Sequence, residues 1–202
     1  MRFYLIILLA SLGFGCKPAP KISTYEVKSD GSDKVAEATK ESKPSPAPTP
    51  MQASPAMQAE AASFGSPQWA TLPATWIANA PNPMRKGSWT ITGDNGTKAE
   101  IAVTVFPGDV GGITANVNRW RGQLGLTAAN ETEITTAATN ASVGSDAGKK
   151  FTLVSADQKR VTVALLVPKN NSTWFCKISG DATVVNAHAE TFLTFFKNSQ
   201  LP

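Results

Sequence analysis

Beyond residue 66 the chain sorts its apolar residues into two periods. Between Gly87 and Thr92, Trp89 and Ile91 take alternate places, and Lys98 to Phe106 reads as a second strand of the same kind. A period of two lines up one face of a strand. The loop between the two holds Asp94-Asn95-Gly96, residues that accept left-handed backbone, so they are expected to pair as an antiparallel hairpin. Glu131 to Thr136 predicts a further strand. Lys149 to Ser155, Lys159 to Val167 and Ser172 to Ile178 predict a meander, with turns at Asp157-Gln158 and Pro168-Lys169-Asn170-Asn171.

Spacings of three and four mark two helices. Val110, Ile113, Val117, Trp120 and Leu124 form one seam, with Asp109 placed to cap its start and Gly125 just past its end. Val185, Ala189, Phe192, Leu193 and Phe196 form the other, with Asp181 at the start and Lys197 at the negative end. Strands that mostly follow one another, with one helix among them and one closing the chain, predict an α+β domain: an antiparallel sheet of five or six strands with helices packed on it.

The N-terminus follows a different pattern. Arg2 precedes the apolar run from Phe3 to Ala10, and Ser11-Leu12-Gly13-Phe14-Gly15-Cys16 follows, the order of a secretory signal. The run falls far short of the roughly 20 residues a membrane-spanning helix needs. Gly15-Cys16 resembles the end of a bacterial lipoprotein signal, in which the cysteine receives lipid and becomes the mature N-terminus. Such signals usually carry Leu three residues before the cysteine; here Gly13 stands there and Leu12 lies one place further out. The alternative is an ordinary signal cleaved near Gly15, leaving Cys16 a thiol or half of a disulfide. With lipid on Cys16, several acyl chains would hold the protein to a bacterial membrane, facing the periplasm or the exterior of the cell envelope.

Residues 16 to 66 are rich in Ala, Pro, Ser, Lys and Glu and poor in large apolar side chains, which predicts a disordered linker between the signal peptide, residues 1 to 15, and a single domain over residues 67 to 202. All five tryptophans fall in that last segment. It carries twelve Lys or Arg against nine Asp or Glu, too mild an excess to predict nucleic-acid binding.

Taken together, Trp69 to Trp76, Trp89, the helix around Asn116-Val117-Asn118-Arg119-Trp120, and Trp174-Phe175-Cys176-Lys177-Ile178-Ser179-Gly180 followed by Phe192 to Phe196 resemble the PsbP/Mog1/DcrB-like superfamily. Met84-Arg85 and Gly111 to Arg121 look like a group of uncharacterised exported bacterial lipoproteins. The resemblance implies a non-catalytic module that docks on other proteins, through surfaces that differ between members.

The residues point away from catalysis. The one histidine, His188, sits at the edge of the last helix's apolar stripe, where a packed or rim position is expected rather than a base. In Gly144-Ser145-Asp146-Ala147-Gly148 the serine is one place too early for a nucleophile elbow. One His and two Cys make no usual zinc set, so neither metal nor cofactor is expected, and Glu131 and Glu133 are read as solvent-facing. Cys176 is expected to be core, sharing a strand face with Trp174 and Ile178. Pro107-Gly108-Asp109-Val110-Gly111-Gly112 lacks the G-K-[ST] of a nucleotide loop and reads as a strand-to-helix turn.

Three functional classes follow. The first is a lipid-anchored adaptor or assembly factor with an envelope partner, for which Asn116, Arg119 and Arg121 on the first helix are the candidate contacts, Gln123 lying on the same flank as Asn116 and Arg119. The second is a lipoprotein that binds a small ligand in a pocket lined by Trp89, Trp120 and Trp174. The third, an enzyme, has no motif behind it.

Overall fold

The computed structural model describes residues 54 to 109 and 111 to 202. The signal peptide, Cys16, most of the predicted linker and Val110 lie outside the described residues. Pro55–Ser63 forms the first helix, α1, inside the stretch whose composition predicts a linker; the Ser54 hydroxyl accepts from the Met57 amide at its start.

Among the described residues the sheet has seven strands, more than the five or six expected. They are β1 (Ile77–Ala78), β2 (Gly87–Thr92), β3 (Lys98–Pro107), β4 (Thr139–Val143), β5 (Asp146–Val154), β6 (Arg160–Lys169) and β7 (Ser172–Asp181), all antiparallel in the order β1-β2-β3-β7-β6-β5-β4. Helices α2 (Gly112–Gln123), α3 (Glu131–Ala137) and α4 (Ala182–Lys197) complete the α+β fold. Four β-hairpins turn where a residue accepts positive φ: Asn95 and Gly96 between β2 and β3, Gly144 between β4 and β5, Gln158 between β5 and β6, and Asn170 with Asn171 between β6 and β7.

Three local expectations are corrected. Glu131 to Thr136 is helical, because the Asn130 side chain accepts from the Glu133 amide (2.9 Å) while the Glu133 carboxylate accepts from the Asn130 amide (2.8 Å), a reciprocal cap that starts a helix. Asp109 does not cap α2; the helix starts from Gly111 in left-handed conformation, with no side-chain cap. Asp181 does precede α4, yet its carboxylate accepts from the Lys98 amide at 2.7 Å and ties β7 to β3 instead.

The sheet is buried on both faces along β6 and β7, so Val161 to Val167 and Ser172 to Cys176 are buried without alternation. On one face Trp89, Ile101, Val163, Trp174, Cys176 and Ile178 pack under Val185, Phe192 and Phe196 of α4. On the other, Phe151, Leu166 and Phe175 pack under Val117 and Trp120 of α2 and Ile134 of α3. The three tryptophans expected around one pocket are therefore divided: Trp89 and Trp174 fill the first core, Trp120 the second.

Candidate functional site

Helices α2 and α3 cover only part of the second face. Along β3 the covered side, Ala99, Ile101, Val103 and Val105, is buried, whereas Glu100 on the opposite side is exposed and Ala102, Thr104 and Phe106 are half-buried. Between this half-open strand surface and the flank of α2 runs a groove of about 250 Å³. Its floor is apolar: Phe106 and Trp120 each meet the ring of Phe175, with centroids 6.0 and 5.9 Å apart.

Four charged side chains rim this floor. Arg85, from the loop before β2, donates to the Glu100 carboxylate and, at 2.8 Å, to the Ser88 hydroxyl. Arg119 reaches in from α2 and donates to the Asn116 side-chain oxygen at 2.6 Å. Lys177 rises from β7, where register sets it opposite Ala102, and donates to the Gln123 side-chain oxygen at 3.1 Å. Burial holds the Lys177 ammonium below its ordinary range; Glu100 opposes that shift, and the Arg119 and Arg85 guanidiniums add to it. Three cations thus act on one another across a small groove with a single carboxylate among them.

Of the contacts expected from sequence, Arg119 lies on the groove. Asn116 is only 2% exposed; it donates to the Gly112 carbonyl (2.7 Å) and holds the Arg119 guanidinium, so it positions a contact rather than making one. Arg121 points away: its Nε donates to the Thr127 carbonyl at 2.8 Å and secures the α2–α3 loop. Gln123 does share the flank of Arg119. Arg85, Glu100 and Lys177 carry the rest of the charge. For Glu100 and Lys177 the signal in the sequence is the polar half of the alternation, since Lys177 and Ser179 break the apolar character of the face that Phe175 shares.

The residues weighed for chemistry lie elsewhere. His188 is half-buried on α4 beside the turn at Gly93 to Thr97. Cys176 is fully buried, and burial drives its thiol well above the ordinary range, the opposite of a reactive cysteine. Gly144 and Ser145 form the β4–β5 turn, and Asp146 binds Lys169 at 2.8 Å. Among the described residues no three His, Cys, Asp or Glu side chains gather, and no helix is long and apolar enough to cross a membrane.

Neither a known protein family nor a curated protein sequence matches the chain. Among solved structures it is similar to LpqN of Mycobacterium tuberculosis, a protein involved in cell envelope biogenesis, with a TM-score of 0.38 and 14% identity over 68% of this chain and 86% of that one. It is also similar to a protein of Bacteroides thetaiotaomicron VPI-5482, with a TM-score of 0.36 and 8% identity over 64% of this chain. The chain spans 43% of the length of the Bacteroides protein. Likeness this distant transfers no role.

Proposed function

We propose that the protein is a lipid-anchored cell-envelope module of the PsbP/Mog1/DcrB-like kind, which binds an envelope partner and catalyses no reaction. Arg2 to Cys16 supplies the export and lipid-attachment pattern, and the Ala- and Pro-rich residues after it supply reach. The observation that carries the binding role is the groove of Arg85, Glu100, Arg119 and Lys177 on the half-open side of the sheet. Three cations that share one carboxylate at the mouth of an apolar hollow repel one another, which opposes folding and supports reading the groove as a surface kept for a partner. Within this groove a whole small ligand is less well served, because about 250 Å³ falls below the roughly 300 to 1,000 Å³ of usual ligand pockets.

Two experiments test this. Replacing Cys16 by serine and fractionating cells should release the protein from membranes; protein that stays bound refutes the anchor. In intact cells, crosslinking of the wild type should give a partner adduct that the combined Arg119→Ala and Lys177→Met variant loses. An unchanged adduct pattern removes the groove as the contact surface.

A further inference from the structure

We infer that the groove recognises a carboxylate set next to an apolar or aromatic side chain, as an acidic peptide segment of the partner would present it. This deepens the binding role proposed above and rests on it.

Arg85 already has a carboxylate, Glu100. The bonds described for Arg119 and Lys177 run to neutral amide oxygens, those of Asn116 and Gln123. Neutral acceptors satisfy donor geometry but leave charge uncompensated, and a carboxylate makes shorter and stronger bonds to the same donors. The Asn116 bond fixes the guanidinium of Arg119 in advance, which lowers the ordering cost of binding. Burial, and after it two neighbouring cations, disfavour the Lys177 ammonium against the pull of Glu100, and the charge of an incoming anion offsets them. One negative charge fits better than two, because Glu100 sits on the same rim. Below the charges the half-buried ring of Phe106, backed by the buried rings of Phe175 and Trp120, supplies a surface for the apolar neighbour. Strand addition is closed to the partner here, since β3 is already paired with β2 and β7. Recognition therefore falls to side chains, and the volume suits one residue with its carboxylate.

The test uses the full ¹⁵N-labelled chain in detergent, with the Trp120 indole signal assigned by Trp120→Phe. N-acetylphenylalanine is titrated against its neutral amide, N-acetylphenylalaninamide, and against inorganic phosphate. The acid should shift the Trp120 signal saturably, and more weakly as salt rises. The amide should bind about tenfold weaker or worse, as expected for loss of charge-assisted bonds. Arg119→Gln and Lys177→Met should each weaken the acid by a similar factor while the other tryptophan signals stay in place. If a variant loses all its dispersed signals it has unfolded, and the acid-to-amide comparison in the wild type decides alone. No saturable shift with the acid, an amide that binds within threefold of it, or phosphate binding more tightly than the acid overturns the inference. Failure here, with fractionation still dependent on Cys16 and the crosslink still dependent on Arg119 and Lys177, removes the carboxylate and leaves the binding module. Loss of that crosslink dependence with the titration intact does the reverse.

Discussion

Gly180 and Gly122 should respond to the same substitution with opposite signs. Gly180 lies in β7, paired with Ala99 of β3 on one side and Val161 of β6 on the other. A Cβ added there would sit 2.2 Å from the Lys98 carbonyl oxygen and 2.6 Å from the Ala99 Cα. Both obstacles are backbone, so no side chain can swing aside. Reaching even 3.0 Å requires β3 and β7 to part by about 0.8 Å at this point. Overpacking of this sort costs about 1 to 3 kcal/mol, and a strained ladder bond adds about 1 kcal/mol. Gly180→Ala should therefore lose about 2 to 4 kcal/mol, a large share of the 5 to 15 kcal/mol typical of a domain. Gly122 is exposed near the end of α2, with nothing within 4 Å of the added Cβ. There the alanine only restricts the unfolded chain and should gain about 0.5 kcal/mol. Urea unfolding followed by tryptophan fluorescence reads both, provided the slopes agree with wild type. A Gly180→Ala variant within about 0.5 kcal/mol of wild type, or a destabilised Gly122→Ala, would refute the close approach of β3 and β7 or the open flank of α2. Because Ser179 and Glu100 are the next pair along that ladder, Gly180→Ala should also disturb the Arg85 end of the groove.

Further outcomes follow from the same geometry. Lys177→Met keeps the stem and removes a disfavoured charge, so stability at pH 7 should hold or rise; a loss beyond about 1 kcal/mol by urea unfolding counts against it. The lowered Lys177 ammonium means that the unfolded chain binds more protons just below pH 10.5. Wild-type stability should therefore gain on the methionine variant as pH rises toward that value, and the gap at pH 7 should stay constant toward lower pH. Asn118→Ala removes two bonds between α2 and the loop before α3, donated to the Ala129 carbonyl (2.9 Å) and accepted from the Ala129 amide (2.8 Å), and should cost about 1 to 3 kcal/mol by the same assay. In a Cys16→Ser chain Cys176 is the remaining thiol, and iodoacetamide at pH 8 should label it only under unfolding conditions, as read by mass spectrometry.

The hairpins were legible because Asn95-Gly96 and Asn170-Asn171 carry their turn geometry in residue type, and α4 because its aromatic stripe has a single helical reading. The segment from Glu131 looks like a strand in sequence yet is a helix, for a physical reason. Its Ile and Thr residues favour strands, whereas the cap formed by Asn130 and Glu133 acts from outside the alternation. β1 has two residues and β4 is a short edge strand of small side chains, Thr139–Val143, so neither carries a strong period. The groove was half legible. Helical spacing puts Arg119 and Gln123 on one flank, but Arg85, Glu100 and Lys177 come from three other segments, and only the pairing of β3 with β7 brings the last two together.

Gln68 and Gln200 close the body of the domain by exchanging backbone bonds, each amide donating to the other's carbonyl at 2.8 Å. Nearby, the Ala70 amide donates to the Ser199 hydroxyl at 3.0 Å. A clasp formed by the backbone thus holds the stretch after α1 beside the last residues of the chain. Tension drawn through the residues before α1 would meet the packing of α1 on β3 and the Lys86 bond to the Phe64 carbonyl before it reached that clasp. The same nearness allows a rearranged gene order: joining the two ends and reopening the chain at Asn170-Asn171 would make β7 the first strand while asking little new of the packing.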